Sequence, residues 1–345
     1  MFSKNFKISN LDLSHNSKTI IIAEIGVNHE GNYSKCLKMI NEANKAGANL
    51  IKLQVVDPAA NYEKGTSSYK IFNKSILSDK EIFKIYNYCK KKRINIFSTF
   101  DKKKFDLFKR INQCCYKISS SLFYDFYLIK DILRMNKPVL ISTGIADLKD
   151  IEAMVNLIKK EKNKKVSLLH CRSLYPTNNK KLHLSRIKYI SKKYQIITGY
   201  SDHSIGIDVP VAAINLGAKV IEKHFTLDSK RKGYDHSISL EPKQFSLMVK
   251  KIRGHENMIG KPDFKIFKND QDFKKIRPII RGYKLLKDVK KNNFLKKNDF
   301  STIRMLNNLK ITKFSKIIHS ILYNKVNRDL KKGKVLLLND FKTKK

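Results

Sequence analysis

The feature that most constrains the fold of this chain is a repeated alternation of short β-rich runs with amphipathic helical patterns. Eight such runs, each followed by a stretch of helical periodicity, occur between residues 19 and 255. Eight βα units of these lengths are typical of a closed (β/α)8 TIM barrel, of the α/β class, rather than of an open sheet. The predicted strands are 19–26, 49–55, 94–99, 115–119, 138–143, 166–171, 195–200 and 219–225, and the predicted helices are 33–46, 79–92, 102–110, 126–135, 148–160, 184–193, 207–216 and 242–252.

A change of pattern after the barrel predicts a second, smaller domain. The run 285–300 is echoed by 326–341, at an offset of 41 residues. Two related half-units of short strands and turns predict a β-rich, pseudo-symmetric domain, because two copies are too few for a solenoid. We divide the chain into four consecutive segments: an N-terminal lead-in at 1–18, the barrel at 19–255, a polar linker at 256–275 and the small domain at 276–345.

Composition narrows the class of protein. No apolar run approaches the ~18–20 residues that a membrane span needs, and the N-terminus lacks the apolar centre of a signal peptide. The five cysteines follow no metal-ligand spacing, which indicates reduced thiols in a cytoplasmic protein. They are Cys36, Cys89, Cys114, Cys115 and Cys171.

The net charge of +42 can be interpreted in two ways. A strongly basic chain can bind nucleic acid. Here, however, lysines are spread over the whole chain at solvent-facing helix positions, with no zinc finger or aromatic RNA-binding motif beside them. We therefore expect no specific nucleic-acid partner, and we expect the charge to attract a small anionic substrate.

Two histidines stand at the ends of consecutive predicted strands. His203 follows the run 195–200, and His224 ends the run 219–225. Ligands of parallel α/β sheets bind at the carboxyl ends of the strands, and two converging imidazoles form part of a divalent metal site. A single histidine at a strand end is more often a structural hydrogen-bonding residue. The pairing, and Asp235 in the polar loop that follows, favour a metal or catalytic role.

Ionisable residues also occur inside predicted strands. Glu24 lies in an otherwise apolar run, where it is either a salt-bridged strand acid or a group that meets a metal's water or transfers a proton. Lys52 and Gln54 share one face of the second strand, because they are two residues apart. Lys117 lies in the fourth strand. Two such lysines indicate a ligand with phosphate and carboxylate groups.

Hydroxyl side chains recur where the predicted strands end. One alone is weak evidence, since Ser and Thr cap helices in most folds. Together with the lysines on one rim, they resemble a phosphate cradle built from several loops. Tyr175, with Pro176, is either part of a rigid turn or a side chain that holds a hydroxylated substrate. The hydroxyl residues concerned are Thr99, Ser120, Ser142 and Ser201.

At family level, a set of collinear motifs resembles the sialic acid synthases. That family also includes the N-acylneuraminate-9-phosphate, legionaminic acid and pseudaminic acid synthases. The resemblance covers about residues 20–255, and the segment after the linker resembles, more weakly, the antifreeze-like (SAF) domain of these enzymes. The motifs are AEIGVNHEG (23–31), IKLQ (51–54), YKISS (116–120), ISTG (141–144), LLHCRSLYPT (168–177), GYSDHSIG (199–206), EKHFTLD (222–228) and GYDHSISLEP (233–242).

The resemblance implies a reaction and a set of roles. Phosphoenolpyruvate would condense with the open-chain aldehyde of an N-acyl hexosamine such as N-acetylmannosamine, water would attack C2, and inorganic phosphate would leave by C–O cleavage. A divalent metal, Mn²⁺ or Mg²⁺, would be held by His203 and His224, with Glu24 beside it. The phosphate would contact Lys52, Thr99, Ser120, Ser142 and Ser201, the carboxylate Lys117, and the sugar Gln54, Tyr175 and Asp235.

The resemblance further implies a domain-swapped homodimer. In that family the antifreeze-like domain of one subunit covers its partner's barrel and contributes an arginine, which matches Arg304 here. This chain departs from the family pattern after Arg304, at Ser121-Leu122, after Thr99 and at Ser173. We expect these changes to affect the sugar more than phosphoenolpyruvate.

Two other readings remain open. The first is another barrel that joins phosphoenolpyruvate to an aldose phosphate, as in the Kdo-8-phosphate and DAHP synthases; the antifreeze-like tail and the collinear motifs count against it. The second is a non-catalytic, basic binding protein on the same fold. The presence of both histidines together with Lys52 and Lys117 counts against that reading.

Overall fold

The computed structural model describes residues 2–260, 281–304 and 314–342. Contacts divide the chain into two compact units, Met1–Gly260 and Lys261–Lys345. In the described part of the chain, no helix is both long enough and apolar enough to cross a membrane.

The predicted eight-stranded parallel barrel is confirmed. Its hydrogen-bonded order is β10-β3-β4-β5-β6-β7-β8-β9, so the last strand closes on the first. The strands are β3 (Ile20–Gly26), β4 (Leu50–Val55), β5 (Ile96–Phe100), β6 (Tyr116–Ile118), β7 (Val139–Ser142), β8 (Val166–Cys171), β9 (Ile197–Asp202) and β10 (Val220–His224).

Helices lie between the strands and pack their apolar faces against the outside of the barrel, as the buried residues of α4 (Ile82, Ile85 and Cys89) illustrate. Two of the helices, α2 and α3, form an excursion between β4 and α4 that the sequence pattern does not predict. The helices of this unit are α1 (Tyr33–Lys45), α2 (Pro58–Asn61), α3 (Ser67–Lys74), α4 (Asp79–Lys91), α5 (Phe105–Ile111), α6 (Phe126–Arg134), α7 (Leu148–Lys160), α8 (Ser185–Tyr194), α9 (Asp208–Asn215) and α10 (Pro242–Ile259).

The segment predicted as an N-terminal lead-in, for which we expected no regular structure, is a β-hairpin. Its strands are β1 (Asn5–Ile8) and β2 (Leu11–Ser14), which pair antiparallel. Phe6, Ile8 and Leu13 of this hairpin belong to the same buried cluster as the inward residues at the amino ends of the barrel strands. The hairpin therefore closes one end of the barrel interior, which leaves the carboxyl-terminal end for a site.

The last barrel helix extends beyond its predicted end, into residues assigned to the linker. Apolar residues Phe245, Met248 and Ile252 are buried, and the helix continues to Ile259. Glu256 accepts a hydrogen bond from the backbone N–H of Thr19 at 2.5 Å, and Arg253 donates to Glu256 at 2.8 Å. These hydrogen bonds connect the helix to the start of β3 and stabilise the last turns of the helix. The rest of the predicted linker lies outside the described residues.

In residues 281–304 and 314–342, the second unit contains an antiparallel pair of strands and one helix. The elements are β11 (Arg281–Leu285), β12 (Phe300–Arg304) and α11 (Phe314–Tyr323). The two copies of the repeat exchange equivalent bonds: Lys331 Nζ contacts Asp288 at 2.8 Å, and Lys290 Nζ contacts Asp329 at 3.1 Å. The pseudo-symmetry predicted from the sequence is thus present in the contacts, whereas α11 was not predicted.

Candidate active site

The interior of the barrel changes from apolar at the amino ends of the strands to polar at their carboxyl ends. Alternate residues of a strand face the interior, so Ile20 and Ile22 are followed by Glu24, and Val220 is followed by Glu222 and His224. Because the strands are parallel, their polar ends all lie at the carboxyl-terminal rim of the barrel. This layering produces one buried polar site.

Two lysines and two carboxylates form the centre of this site. Lys52 forms an ion pair with Glu24, and its Nζ lies 2.7 Å from Glu222 Oε1. Lys117 Nζ lies 3.7 Å from the same Glu222 oxygen. All four side chains are buried. Burying a charged group without a partner would be energetically costly, so these ion pairs stabilise the cluster. With two positive and two negative groups, the cluster carries no net charge when all four are ionised.

Burial and neighbouring charges shift the pKa values of this cluster in opposite directions. Burial raises the pKa of Glu222, but Lys117 and Lys52 outweigh it and hold the pKa at about 2. Burial also lowers the pKa of Lys52 to about 8, although Glu222 partly restores it. Glu222 is therefore an anion at neutral pH, and Lys52 remains largely protonated.

Hydroxyl groups lie around the cluster, and two of the four expected from the sequence are hydrogen-bonded to its charged groups. Lys117 Nζ donates to Ser142 Oγ at 2.7 Å, and Ser201 Oγ donates to Glu222 Oε1 at 2.9 Å. Thr99 Oγ1 instead donates to the backbone carbonyl of Lys117 at 3.1 Å. Ser142 and Ser201 are thus directly bonded to the charged groups, while Thr99 fixes the strand that carries one of them.

Ser120 lies in a second group of polar atoms, around Gly144. The Gly144 N–H donates to Ser120 Oγ at 2.9 Å, and Ser120 lies 3.1 Å from Cys171 Sγ. A Cβ added at Gly144 would come within 2.4 Å of Ser173 Oγ and 2.7 Å of Ser120 Oγ. Ser173 therefore lies beside Ser120, one of the hydroxyl residues expected to contact the phosphate.

The two histidines are brought together, with ring centroids 5.4 Å apart. His203 Nδ1–H donates to the carbonyl of Arg172 at 2.7 Å, which leaves Nε2 with its lone pair. Burial lowers the pKa of His203 to about 4 and that of His224 well below its ordinary value. Both imidazoles are neutral at pH 7, as metal ligands must be.

The remaining sugar-side candidates lie around the histidines and Glu24. The Tyr175 ring stacks on His203 at 4.1 Å between centroids, and its residue is 54 % exposed. Asp235 Oδ2 lies 3.5 Å from His224 Nδ1, and burial raises the Asp235 pKa to about 6. Gln54 Nε2 donates to Glu24 Oε1 at 3.4 Å. All three therefore border the same rim.

The donor set fits a divalent ion. Within the described ranges, no three His, Cys, Asp or Glu side chains form a complete metal site. However, His224 Nδ1 is buried without a hydrogen-bond partner, and His203 is oriented by a backbone carbonyl, as metal-binding histidines usually are. Two imidazole nitrogens, with other positions left to carboxylate, water or substrate, suit such an ion.

Arg304 is the one candidate outside the barrel unit. It is the last residue of β12, it is exposed, and it pairs in register with Arg281. The residues that follow it, 305–313, lie outside the described part of the chain, as does the predicted change in its loop.

Sequence reasoning missed Glu222, although it quoted the motif that contains it. Glu222 is two residues before His224, so both side chains face the interior. This spacing of two residues from His224 was the signal in the sequence that could have identified Glu222. The two lysines that Glu222 contacts are 170 and 105 residues away in sequence, which explains why the sequence alone did not indicate its partners.

Fold and site together define the class: a (β/α)8-barrel protein with a buried ionic cluster and a neutral histidine pair at its carboxyl rim. Residues 39–263 match the model of the NeuB family. This chain belongs to the NeuB family, which confirms the resemblance found in the sequence.

Relatives and solved structures agree with this assignment. The N,N'-diacetyllegionaminic acid synthase of Campylobacter jejuni is 32% identical over 88% of this chain and 96% of its own. A pseudaminic acid synthase of the same species is 31% identical over 94% and 97%, respectively. The crystal structure of N-acetylneuraminic acid synthetase from Leptospira borgpetersenii has a TM-score of 0.74 at 31% identity, and covers 79% of this chain and 97% of that one.

Proposed function

We propose that this chain is a nonulosonic acid synthase, which condenses phosphoenolpyruvate with the open-chain aldehyde of an N-acyl hexosamine. The observation that carries the proposal is the pair of buried lysines beside two neutral imidazoles, in a chain of the NeuB family. In this reaction C3 of phosphoenolpyruvate bonds to the aldehyde carbon, water adds to C2, and phosphate leaves with the oxygen it carried.

Phosphoenolpyruvate is assigned to the lysine side of the site. Lys52 and Lys117 supply positive charge, and Ser142, Ser201 and Ser120 supply hydrogen bonds for its phosphate and carboxylate. Glu222 holds the two ammonium groups in place before the substrate binds. Thr99 acts through the backbone of Lys117.

The sugar is assigned to the histidine side. His203 and His224 would hold a divalent ion, Mn²⁺ or Mg²⁺, which supplies Lewis-acid polarisation of an aldehyde oxygen when bound. Tyr175, Gln54 and Asp235 orient the polyol, and Glu24 is placed opposite His224 on the neighbouring strand, where its carboxylate can assist proton transfer. Neutral imidazoles at pH 7 support this assignment.

Assembly and location follow from the same family assignment. We assign the second unit to an antifreeze-like (SAF) domain that contributes Arg304 to the partner's site in a domain-swapped homodimer. A cytoplasmic location is supported by the five unpaired cysteines.

The proposal is tested by phosphate release from phosphoenolpyruvate with Mn²⁺ and a panel of sugars. The panel contains N-acetylmannosamine, its 6-phosphate and diacetamido precursor sugars. We expect sugar-dependent release by the wild type and none by His203→Ala or His224→Ala, with both variants folded by circular dichroism. If folded, metal-loaded wild-type protein releases no phosphate with any of the sugars, the proposal is overturned. Normal activity of either variant would overturn the metal assignment.

A further inference from the structure

The thiol of Cys171 lies inside the barrel, next to a hydroxyl assigned to phosphoenolpyruvate. Cys171 is the last residue of β8 and follows the inward-facing Leu169 by two residues, so its side chain faces the interior as well. The residue is only 2 % exposed, and its Sγ lies 3.1 Å from Ser120 Oγ. The thiol is therefore a buried, hydrogen-bonded neighbour of a residue that we assign to the substrate.

The contact between thiol and hydroxyl depends on Gly144. A Cβ at this position would come within 2.6 Å of Cys171 Sγ and 2.7 Å of Ser120 Oγ, which is closer than real Cβ atoms approach other atoms. The absence of a side chain thus leaves room for both groups. The backbone N–H of Gly144 also donates to Ser120 Oγ at 2.9 Å. Ser120 Oγ is therefore held by two groups, an amide and a thiol.

The thiol keeps its hydrogen at neutral pH. Burial raises the pKa of Cys171, and this effect outweighs the hydrogen bond from Ser120 and the charge of Lys117, which both lower the pKa. A thiol in this state is a poor nucleophile, because the thiolate is the reactive form. It can, however, donate a hydrogen bond through its S–H group. The chemistry available to Cys171 is therefore hydrogen bonding.

The hydrogens of the thiol and of the Ser120 hydroxyl can be arranged in two ways. If Ser120 donates to Cys171 Sγ, the hydroxyl offers only a lone pair to a ligand, which repels an anion. If Cys171 donates to Ser120 Oγ, this oxygen accepts from both the thiol and the Gly144 N–H, and its own hydrogen remains free. An oxygen of phosphate can only accept a hydrogen bond, so its binding selects the second arrangement.

A second buried hydroxyl beside Ser120 supports a ligand at this position. Ser173 Oγ is buried, and it has no hydrogen-bond partner within the described residues. A Cβ at Gly144 would also come within 2.4 Å of Ser173 Oγ, so the side-chain atoms of Ser173, Ser120 and Cys171 converge on one point. A buried hydroxyl without a partner costs free energy. The oxygen of a bound anion would supply the missing partner.

We propose that Cys171 is a positioning residue for phosphoenolpyruvate: its S–H group donates to Ser120 Oγ and thereby directs the Ser120 hydrogen towards the phosphate. This inference rests on the proposed function. Donation from Cys171 and from the Gly144 N–H to the same oxygen fixes the hydroxyl and strengthens it as a donor, because linked hydrogen bonds polarise one another. Cys171 acts through Ser120 and needs no contact of its own with the substrate.

The test removes or replaces the thiol donor. Cys171→Ala removes it, whereas Cys171→Ser keeps a hydrogen-bond donor at nearly the same place. Cys89→Ala is the matched control, because Cys89 is a fully buried thiol of α4, outside the barrel. Ser120→Ala and the double variant Ser120→Ala/Cys171→Ala complete a double-mutant cycle. The readout is the Kd for phosphoenolpyruvate, measured by calorimetry on folded, Mn²⁺-loaded protein without sugar.

We expect Cys171→Ala to raise the Kd about three- to tenfold, the effect of losing one hydrogen bond. Cys171→Ser should stay within about twofold of the wild type, since it keeps the donor. Cys89→Ala should bind like the wild type. The double variant should bind no more weakly than Ser120→Ala alone, because Cys171 acts through Ser120.

Several results would overturn this inference alone. They are an unchanged Kd in Cys171→Ala, an equal loss of affinity in Cys171→Ser or in Cys89→Ala, and losses that multiply in the double variant. A wild type that does not bind phosphoenolpyruvate would instead overturn the proposed function, and this inference with it.

Discussion

At the scale of single residues, the site depends on charges that cancel within the barrel. Glu222 contacts Lys52 and lies near Lys117, and the low pKa of Glu222 follows from these two cations. A neutral, bonded cluster can be buried at moderate cost, whereas removing one member leaves a buried charge without a partner. Binding of phosphoenolpyruvate then requires the lysines to be shared between Glu222 and the substrate.

Replacing Lys117 with Met should therefore weaken the use of phosphoenolpyruvate far more than the use of the sugar. Loss of one partner from a buried charge pair costs about 2 kcal/mol or more, so kcat/KM for phosphoenolpyruvate should fall at least about 30-fold. Steady-state kinetics with each substrate varied in turn measure the split. Lys109→Met, an exposed lysine on α5, is the matched control. The opposite split would show that Lys117 lies on the sugar side.

At the scale of elements, a second buried ion pair supports the strands that carry both histidines. Lys223 Nζ contacts Asp202 Oδ2 at 2.6 Å and donates to the carbonyl of Ser204, and both charged side chains are fully buried. Asp202 precedes His203, and Lys223 precedes His224. The pair therefore joins β9 to β10 on the face opposite the site.

Breaking this pair should destabilise the barrel. Lys223→Met leaves Asp202 buried without its cation, which should lower the free energy of unfolding by about 3–5 kcal/mol. The double variant Lys223→Met/Asp202→Asn should recover part of that loss, because no buried charge remains. Urea unfolding of the two single variants and the double variant measures the coupling. Additive losses in the double variant would show that the two groups do not act as a pair.

The loop that carries Asp235 is attached to the barrel through Glu30. This carboxylate contacts Lys35 at 2.7 Å, Arg231 at 2.7 Å and His236 at 2.9 Å. Burial raises the Glu30 pKa, but its bonds to Lys35, Arg231 and His236 prevail and lower it from 4.5 to about 2. The group is thus bound as an anion in the folded state.

This attachment predicts a pH dependence of stability. Because the folded pKa of Glu30 lies below its ordinary value, its contribution is fully present above pH 4.5 and is lost as pH falls from about 4.5 towards 2. Glu30→Gln should cost about 1–3 kcal/mol at pH 7, and the difference from the wild type should shrink below pH 4.5. Denaturation midpoints of both proteins between pH 3 and 7 measure this difference in stability. A difference that does not change with pH would contradict the ionic role of Glu30.

At the scale of the whole molecule, the chain consists of a barrel unit and a small pseudo-symmetric unit. The two repeats of the small unit exchange Asp288–Lys331 and Asp329–Lys290 pairs, and they bury a core that includes Leu285 and Val326. Each half-unit therefore needs the other for burial. Arg304 ends a strand of this unit rather than lying in the barrel.

If Arg304 acts on the partner's barrel, two inactive variants should complement each other. Arg304→Ala and His203→Ala subunits, unfolded and refolded together, should form mixed dimers in which one site has all its residues. We expect a partial return of phosphate release, up to about a quarter of the wild-type rate for random pairing of equal amounts. Each variant refolded alone is the control. No recovery from verified mixed dimers would place Arg304 in its own subunit's site or outside it.

The sequence by itself determined the barrel and the position of the site. Eight periodic βα units specify a closed parallel sheet, because strand and helix periods are local properties. The same pattern placed His203 and His224 at strand ends, which meet at one rim in any parallel barrel, and placed Lys52 and Lys117 within two other strands.

Only the tertiary structure decided which groups are partners. Barrel closure pairs β10 with β3 and sets His224 opposite Glu24, about two hundred residues away in the chain. The same closure brings Glu222 between two lysines. The α2–α3 segment was also not predicted from the sequence, and no residue of α3 is fully buried. Contacts between distant segments depend on strand order and register, which no local spacing encodes.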